Sequence, residues 1–231
     1  LWEHTPGGWS MLSAGSFQQI AAATNKSGAA VVFAVLTDNS LWENSSLFTG
    51  GWAQLSPAGT VLSITAVADA SGNDDVFAVT AGRNLWEHTP AGWTQLSAGS
   101  FQSVSAGRNG AGQAVVYGLL TDASLWEYNP AFTNAGGWQN LSPSGSILSA
   151  SAAGPEQVFA ITADHHLWQY TLASGWSLLS TGMFASISGD QNTGGAGELF
   201  AVLADASLWE YTNHWAMLDA GVLAAAAPRR A

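Results

Sequence analysis

Cysteine is absent from the 231 residues, which removes disulfides, thiolate nucleophiles and thiolate zinc sites together. Basic residues are almost as scarce: Lys26, Arg83, Arg108, Arg229 and Arg230 stand against 16 acidic residues, for a formal net charge of −11. Positive charge so thin and scattered cannot hold a phosphate backbone, so no nucleic-acid partner is expected. Although 47% of the residues are hydrophobic, no apolar run approaches the roughly 18 residues of a membrane helix, and no membrane insertion is expected. Only 9% of the residues are charged. Abundant Gly, Ser, Ala, Thr and Asn with a single lysine is the composition expected of a secreted or cell-surface protein.

Tryptophan is what the chain has in excess. The dipeptide "LW" recurs at Trp2, Trp42, Trp86, Trp126, Trp168 and Trp209, at spacings of 40, 44, 40, 42 and 41 residues. A second tryptophan follows each one, at Trp9, Trp52, Trp93, Trp138, Trp176 and Trp215, preceded by Gly in five repeats and by His214 in the sixth. All 12 tryptophans are thereby used. Around them each unit carries a small-residue segment such as "FQQIAA", an apolar run such as "VVFAVLTD", then "LWE" and "GW" with "LS" and a Gly turn. These runs are four to eight residues long, β-branched or aromatic, and bounded by Gly, Asp, Asn, Ser or Pro, so each reads as a strand. Four strands fill one repeat, here called A, B, C ("LWE") and D ("GW"). Asp38, Asp122 and Asp205 fall in the tight B–C turn, where an Asx side chain bonds its own backbone. Closer similarity returns after 82 to 84 residues, the trace of a duplicated two-repeat unit.

Units of about 40 residues with four antiparallel strands predict an all-β fold, a β-propeller. One domain over residues 1–231 is expected, with repeats starting near 1, 41, 85, 125, 167 and 208 and a tail at 228–231. Strands A, C and D occur six times and B five, so six blades closed by N- and C-terminal strands is the expected count. Under that count "VLAAAA" near the C-terminus joins the sheet of "LWEHTPGGWSMLS". Five blades is the alternative.

Along strand C the period of two sends Leu and Glu to one face and Trp with the fourth residue to the other. A carboxylate or its amide thus occupies one fixed place in every unit: Glu3, Glu43, Glu87, Glu127, Gln169 and Glu210. With so few basic partners, a buried carboxylate here is costly, so these groups are expected at a solvated groove or bonded to backbone N–H groups. An indole ring beside a carboxylate can take the apolar face of a pyranose and its hydroxyls.

This pattern resembles the β-propeller lectins, namely tectonin and tachylectin-type repeats and the six-bladed fucose-binding lectins. The resemblance covers essentially the whole chain. In the fucose-binding group it implies a groove between blades with an Arg from the second strand, a Glu from the third and a Trp from the fourth. Here the "LWE" Glu and the "GW" Trp match in every unit except at Gln169, and the Arg has no counterpart on the "VFAV" strands. The expected function is therefore a non-catalytic, multivalent carbohydrate-binding protein whose partners are glycans or glycoconjugates, with oligomerisation left open. Its candidate sugar-binding residues are Trp9, Trp52, Trp93, Trp138, Trp176, Trp215, Glu3, Glu43, Glu87, Glu127, Gln169 and Glu210. No catalytic residue, no cofactor and no metal site is expected. His165 and His166 adjoin Asp164, but neighbours on a strand face opposite ways and nothing completes a metal site. A structural or protein-interaction scaffold is the alternative. A glycoside hydrolase has no positive sign, and the arginine cluster of sialidase propellers cannot be supplied.

Overall fold

A computed structural model describes residues 1–5, 7–45, 50–133, 135–191 and 196–220. The "VLAAAA" segment and the tail at 228–231 lie outside the described residues. A two-stranded sheet comes first, β1 (Trp2–Thr5) with β2 (Gly8–Met11). Blade 1 is β3 (Phe17–Thr24), β4 (Ala30–Leu36), β5 (Leu41–Asn44) and β6 (Trp52–Ser56). Blade 2 is β7 (Val61–Ala68), β8 (Asp74–Thr80), β9 (Leu85–Thr89) and β10 (Gly92–Ser97). Blade 3 is β11 (Phe101–Arg108), β12 (Ala114–Leu120), β13 (Leu125–Tyr128) and β14 (Trp138–Ser142). Blade 4 is β15 (Ile147–Ala152), β16 (Gln157–Thr162), β17 (Leu167–Thr171) and β18 (Gly175–Ser180). Blade 5 is β19 (Phe184–Gln191), β20 (Gly197–Leu203), β21 (Leu208–Tyr211) and β22 (Trp215–Asp219). Every blade is a four-stranded antiparallel meander in sequence order, and the fold is a β-propeller. Five full blades plus the β1–β2 pair accommodate either blade count.

The chain divides into two compact units. One holds Leu1–Ala68 and Gly72–Ala98, the other Asp69–Ser71 and Gly99–Ala231. In the first unit Val31, Phe33, Val35 and Leu41 of blade 1 meet Val61, Ile64, Val76 and Ala78 of blade 2, and Trp93 packs against this core. In the second, Tyr117, Leu119 and Leu125 of blade 3 meet Ile147, Val158 and Tyr170 of blade 4. Phe159, Ile161 and Leu167 of blade 4 likewise meet Phe184, Leu199 and Ala201 of blade 5. The core thus lies between blades, because a single sheet has two faces and no other layer to bury them.

Neighbouring A strands are stitched by side chains, not by a backbone ladder. Gln19 brackets Ile64, its Nε2 donating to the Ile64 carbonyl at 2.8 Å and its Oε1 accepting the Ile64 N–H at 2.9 Å. Ser105 Oγ accepts the Ala152 N–H and Ser151 Oγ accepts the Gly189 N–H, each at 2.8 Å. The strands come so close that a Cβ on Gly189 would stand 2.5 Å from the Ala152 carbonyl oxygen.

The B–C turns follow the sequence reading. Oδ1 of Asp38, Asp122 and Asp205 accepts the N–H of Ser40, Ser124 and Ser207 at 2.9 to 3.0 Å and their hydroxyls at 2.6 Å. Each of those hydroxyls in turn accepts the indole N–H of Trp42, Trp126 or Trp209 at 2.8 to 3.2 Å. Between Asp and Ser the chain turns through the left-handed region, with φ of 63° at Ala123. Ala123→Gly removes that Cβ strain at some cost in unfolded-state entropy, so a net gain of roughly 0.5 kcal/mol is expected. The midpoint of urea unfolding measures it, and a lower midpoint would refute the strain.

Candidate functional site

Register fixes which side chains share a face. In blade 3 Ser105, Tyr117, Glu127 and Gln139 stand opposite one another across four strands, and in blade 4 Val158, Tyr170 and Trp176 do so. Trp138 pairs with Tyr128 and not with Glu127, so the Glu and the "GW" Trp of one repeat lie on opposite faces of their blade. Among the described residues the two residue types share a face between repeats and not within one. Glu43 shares an inter-blade face with His88 and Trp93, Glu127 with Tyr170 and Trp176, and Gln169 with Tyr211 and Trp215. By the same register Glu3 faces the blade that carries Trp52. Glu87 and Glu210 occupy the equivalent half-buried places on β9 and β21.

The "GW" tryptophans are held from two sides. The fourth residue of strand C lies against the ring within its own blade, at centroid distances of 4.9 Å for His88–Trp93, 5.3 Å for Tyr170–Trp176 and 5.1 Å for Tyr211–Trp215. The indole N–H then reaches back to the preceding repeat. Trp52 Nε1 donates to the Leu12 carbonyl at 3.2 Å, and Trp176 Nε1 to the Leu141 carbonyl at 2.8 Å. Trp138 packs on Phe101 and Tyr128 of its own blade. Trp9 differs: it is 65% exposed, on one face of the β1–β2 pair with Trp2, His4 and Met11. In five repeats the residue before this Trp is a Gly with positive φ; in the sixth, Asn213 takes that conformation at φ 85°, which leaves His214 an ordinary backbone.

Glu43 and Glu127 depart from the expectation of a solvated groove or of backbone donors. Glu127 is fully buried, and neither of its carboxylate oxygens has a hydrogen-bond partner. Burial pushes its carboxyl up to about 7, offset in part by the Asn129 side chain and reinforced by Glu156. Glu43 is 8% exposed, and burial, with Asp74 nearby, pushes it up to about 7 as well. Burial also raises Glu87. With carboxyls near 7, Glu43 and Glu127 avoid the cost of a buried charge by holding their protons below neutral pH, an outcome outside the two alternatives that composition suggested. Burial lowers His88, with Asp74 opposing.

Among the many solved structures that share the fold are three lectin-like neighbours. AofleA from Arthrobotrys oligospora is 16% identical, with a TM-score of 0.64 over 88% of this chain and 71% of that one. The SapL1 lectin, solved with alpha methyl fucoside, is 17% identical, with a TM-score of 0.58 over 96% and 88%. The fungal lectin of Aleuria aurantia, described as a six-bladed β-propeller with a novel fucose recognition mode, is 17% identical, with a TM-score of 0.55 over 90% and 80%. No protein-family pattern and no curated protein sequence matches the chain. The resemblance to β-propeller lectins is one of fold.

Asp164 and His166 form a local pair, Nδ1 to Oδ2 2.9 Å, and His165 turns away with Nδ1 3.2 Å from the Phe184 carbonyl. Among the described residues no group of three or more His, Cys, Asp or Glu has a metal-binding arrangement. The residues that sequence reasoning did not single out are Asp74, Glu156 and Tyr117. Asp74 and Glu156 stand at or just before the start of strand B, where the other blades have Ala30, Ala114 and Gly197. Tyr117 stands where Phe33, Phe77, Phe159 and Phe200 occupy the other blades. The signal was available as polar residues at two positions where the other blades carry Ala, Gly or Phe.

Proposed function

We propose that the protein is a non-catalytic carbohydrate-binding protein with repeated inter-blade sites, acting on glycans at a cell surface or in the extracellular space. The observation that carries this reading is the repeated placing of a "GW" indole on the same inter-blade face as the "LWE" carboxylate of the preceding repeat, as with Trp93 and Glu43 and with Trp176 and Glu127. An indole face covers the apolar side of a pyranose, and a carboxylic group accepts or donates a hydrogen bond to its hydroxyls. The fold shared with AofleA, SapL1 and the Aleuria aurantia lectin supports it. Individually weak sites gain through repetition, since a second site on one glycan surface binds at high effective concentration.

A glycan array tests the reading. Binding that a free monosaccharide inhibits is the expected result, and fucosides belong on that array because SapL1 was solved with one. A folded protein that stays silent across neutral, acidic and amine-bearing glycans would overturn it. A scaffold role is favoured by one specific observation, the indole N–H bonds of Trp52 and Trp176 to the preceding repeat. The two readings part at Trp93→Phe: a sugar site loses affinity while the fold survives, whereas a pure scaffold has no affinity to lose.

A further inference from the structure

The inter-blade faces within the two units are not equivalent. At the start of strand B, Asp74 brings a second carboxylate to the face of Glu43, and Glu156 brings one to the face of Glu127. The 4–5 interface has neither, because Gln169 is an amide and Gly197 has no side chain. Asp74 and Glu156 lie 82 positions apart and Glu43 and Glu127 84, the period of the two-repeat duplication. The same acidic pair is therefore built twice, once in each compact unit.

The geometry of the pair is that of a floor and a rim. Glu43 and Glu127 are buried; Asp74 and Glu156 are half-exposed. At the second pair the floor is incomplete in hydrogen bonds, with both Glu127 oxygens and the hydroxyl of Tyr117, 1% exposed, lacking any partner. Three buried polar atoms without partners on one face are rare in a folded protein and point to a missing group. The one amide close by, that of Asn129, lowers the Glu127 carboxyl in part but is shared with Glu156. Asn129 gives its Nδ2 to Glu156 Oε1 at 3.3 Å, and its Oδ1 accepts from Asn109 at 3.2 Å and from the Ala131 N–H at 3.0 Å. Glu156 is itself fixed, its N–H donating to the Arg108 carbonyl at 2.8 Å. Tyr170, from the facing blade, is raised by burial and by Glu127, with Gln139 opposing. What such a site lacks is a donor with positive charge.

We propose that these two interfaces recognise a primary ammonium group on a sugar, so that the preferred ligand is a glycan of glucosamine units whose amines are free. The inference rests on the carbohydrate-binding reading above. The ammonium seats between rim and floor carboxylates, and the pyranose lies along Trp93 or Trp176. A charge-assisted bond to a carboxylate is roughly twice as strong as a neutral one, whereas an N-acetyl group brings no charge and only its one amide N–H in place of the ammonium's three. The acidic chain, at −11, draws such a ligand in and repels sialylated or sulfated ones. Glu43, at 8% exposure, is the more open floor; at the second site Tyr170 and Gln139 must shift to admit the amine to Glu127.

Calorimetric titration at about pH 5.5, where the free sugar amine already carries its proton and the floor carboxyls hold theirs, tests it with three probes: a glucosamine oligomer, its fully N-acetylated counterpart, and trilysine. The glucosamine oligomer is expected to bind on the order of tenfold tighter than the N-acetylated one, a difference of about 1.4 kcal/mol. Binding should release protons, seen as a heat that changes with the ionisation enthalpy of the buffer, because a seated ammonium draws the floor carboxyls into their charged form. Glu43→Gln with Glu127→Gln should abolish the preference while the circular dichroism spectrum is unchanged. Equal binding of the two oligomers overturns the inference. So does amine binding that survives the double substitution, which would be long-range attraction alone. Trilysine binding as tight as the sugar would show an ammonium site without a sugar site. If neutral glycans bind on the array and the amine oligomer does not, the carbohydrate reading stands and this inference fails.

Discussion

Thermal stability is expected to fall as pH rises from about 5 to about 8, by on the order of 10 °C in the unfolding midpoint. Most surface-charged proteins change little over that interval, so the effect is diagnostic. Its source is Glu43 and Glu127, whose carboxyls stand at about 7 in the folded chain against an ordinary value of 4.5. Between those values the folded state binds more protons than the unfolded one, and stability must then decrease with pH. Each group costs on the order of 2 to 3 kcal/mol once fully ionised. Glu87, raised by burial, acts in the same direction. His88 acts in the opposite one: its folded value is lowered, so its contribution is present above its ordinary 6.5 and lost as pH falls. Asp38, Asp122 and Asp205, lowered by their Ser40, Ser124 and Ser207 hydrogen bonds, matter only as pH falls below their ordinary 3.8. The Glu window of 4.5 to 7 is therefore clear of them. Scanning calorimetry at several pH values measures the slope, and Glu43→Gln with Glu127→Gln should flatten it while raising stability at the alkaline end. A wild-type midpoint that is level across the interval would mean that these carboxyls are not held protonated.

Trp176→Ala should lower stability by about 2 to 4 kcal/mol, somewhat less than deleting a fully buried aromatic, because Trp176 is half-buried. Trp176 packs against the core shared by blades 3 and 4, lies 5.3 Å from Tyr170, and donates to the Leu141 carbonyl at 2.8 Å. Removing it opens a cavity and leaves that carbonyl without its donor. Trp176→Phe separates the two losses: the ring remains, the donor goes, and about 1 to 3 kcal/mol is expected for the orphaned acceptor. The control is Trp9→Ala, in the same position of its repeat but 65% exposed among the described residues, for which roughly 0.5 kcal/mol or less is expected. Denaturant unfolding of the three variants decides the matter. Equal losses at Trp9 and Trp176 would mean that the difference in environment carries no energy.

Strands, their order and the blade repeat were legible because each depends on residues within one repeat. Period-two alternation in "LWEY" places Glu127 and Tyr128 on opposite faces without knowledge of any neighbour, and Asp122 caps its turn through a serine two residues away. The chemistry of the site was not legible in the same way, because it is made between repeats. Nothing in "LWE" distinguishes Glu127, fully buried and within electrostatic reach of Tyr170 and Glu156, from its counterparts on other blades; the difference lies in the next repeat. The indole of Trp176 gave no sign that its N–H would reach Leu141, 35 residues earlier. Gln169 was recognisable as the odd member of its series, and Tyr117 was equally odd within a series of phenylalanines.

The stitching of the A strands bears on how such a chain changes length over generations. A backbone ladder between neighbours demands matched register along whole strands, so adding or deleting a repeat would have to satisfy many bonds at once. Here three joins between A strands, all within the two units, each use one side chain, Gln19 to Ile64, Ser105 to Ala152 and Ser151 to Gly189, with a single backbone bond from Glu156 to the Arg108 carbonyl beside the second. A duplicated pair of repeats arrives with its fastener already attached and needs only an N–H opposite a hydroxyl or an amide to engage it. Two different fasteners, glutamine and serine, already serve the same purpose in this chain, so a new joint has more than one acceptable residue from the start.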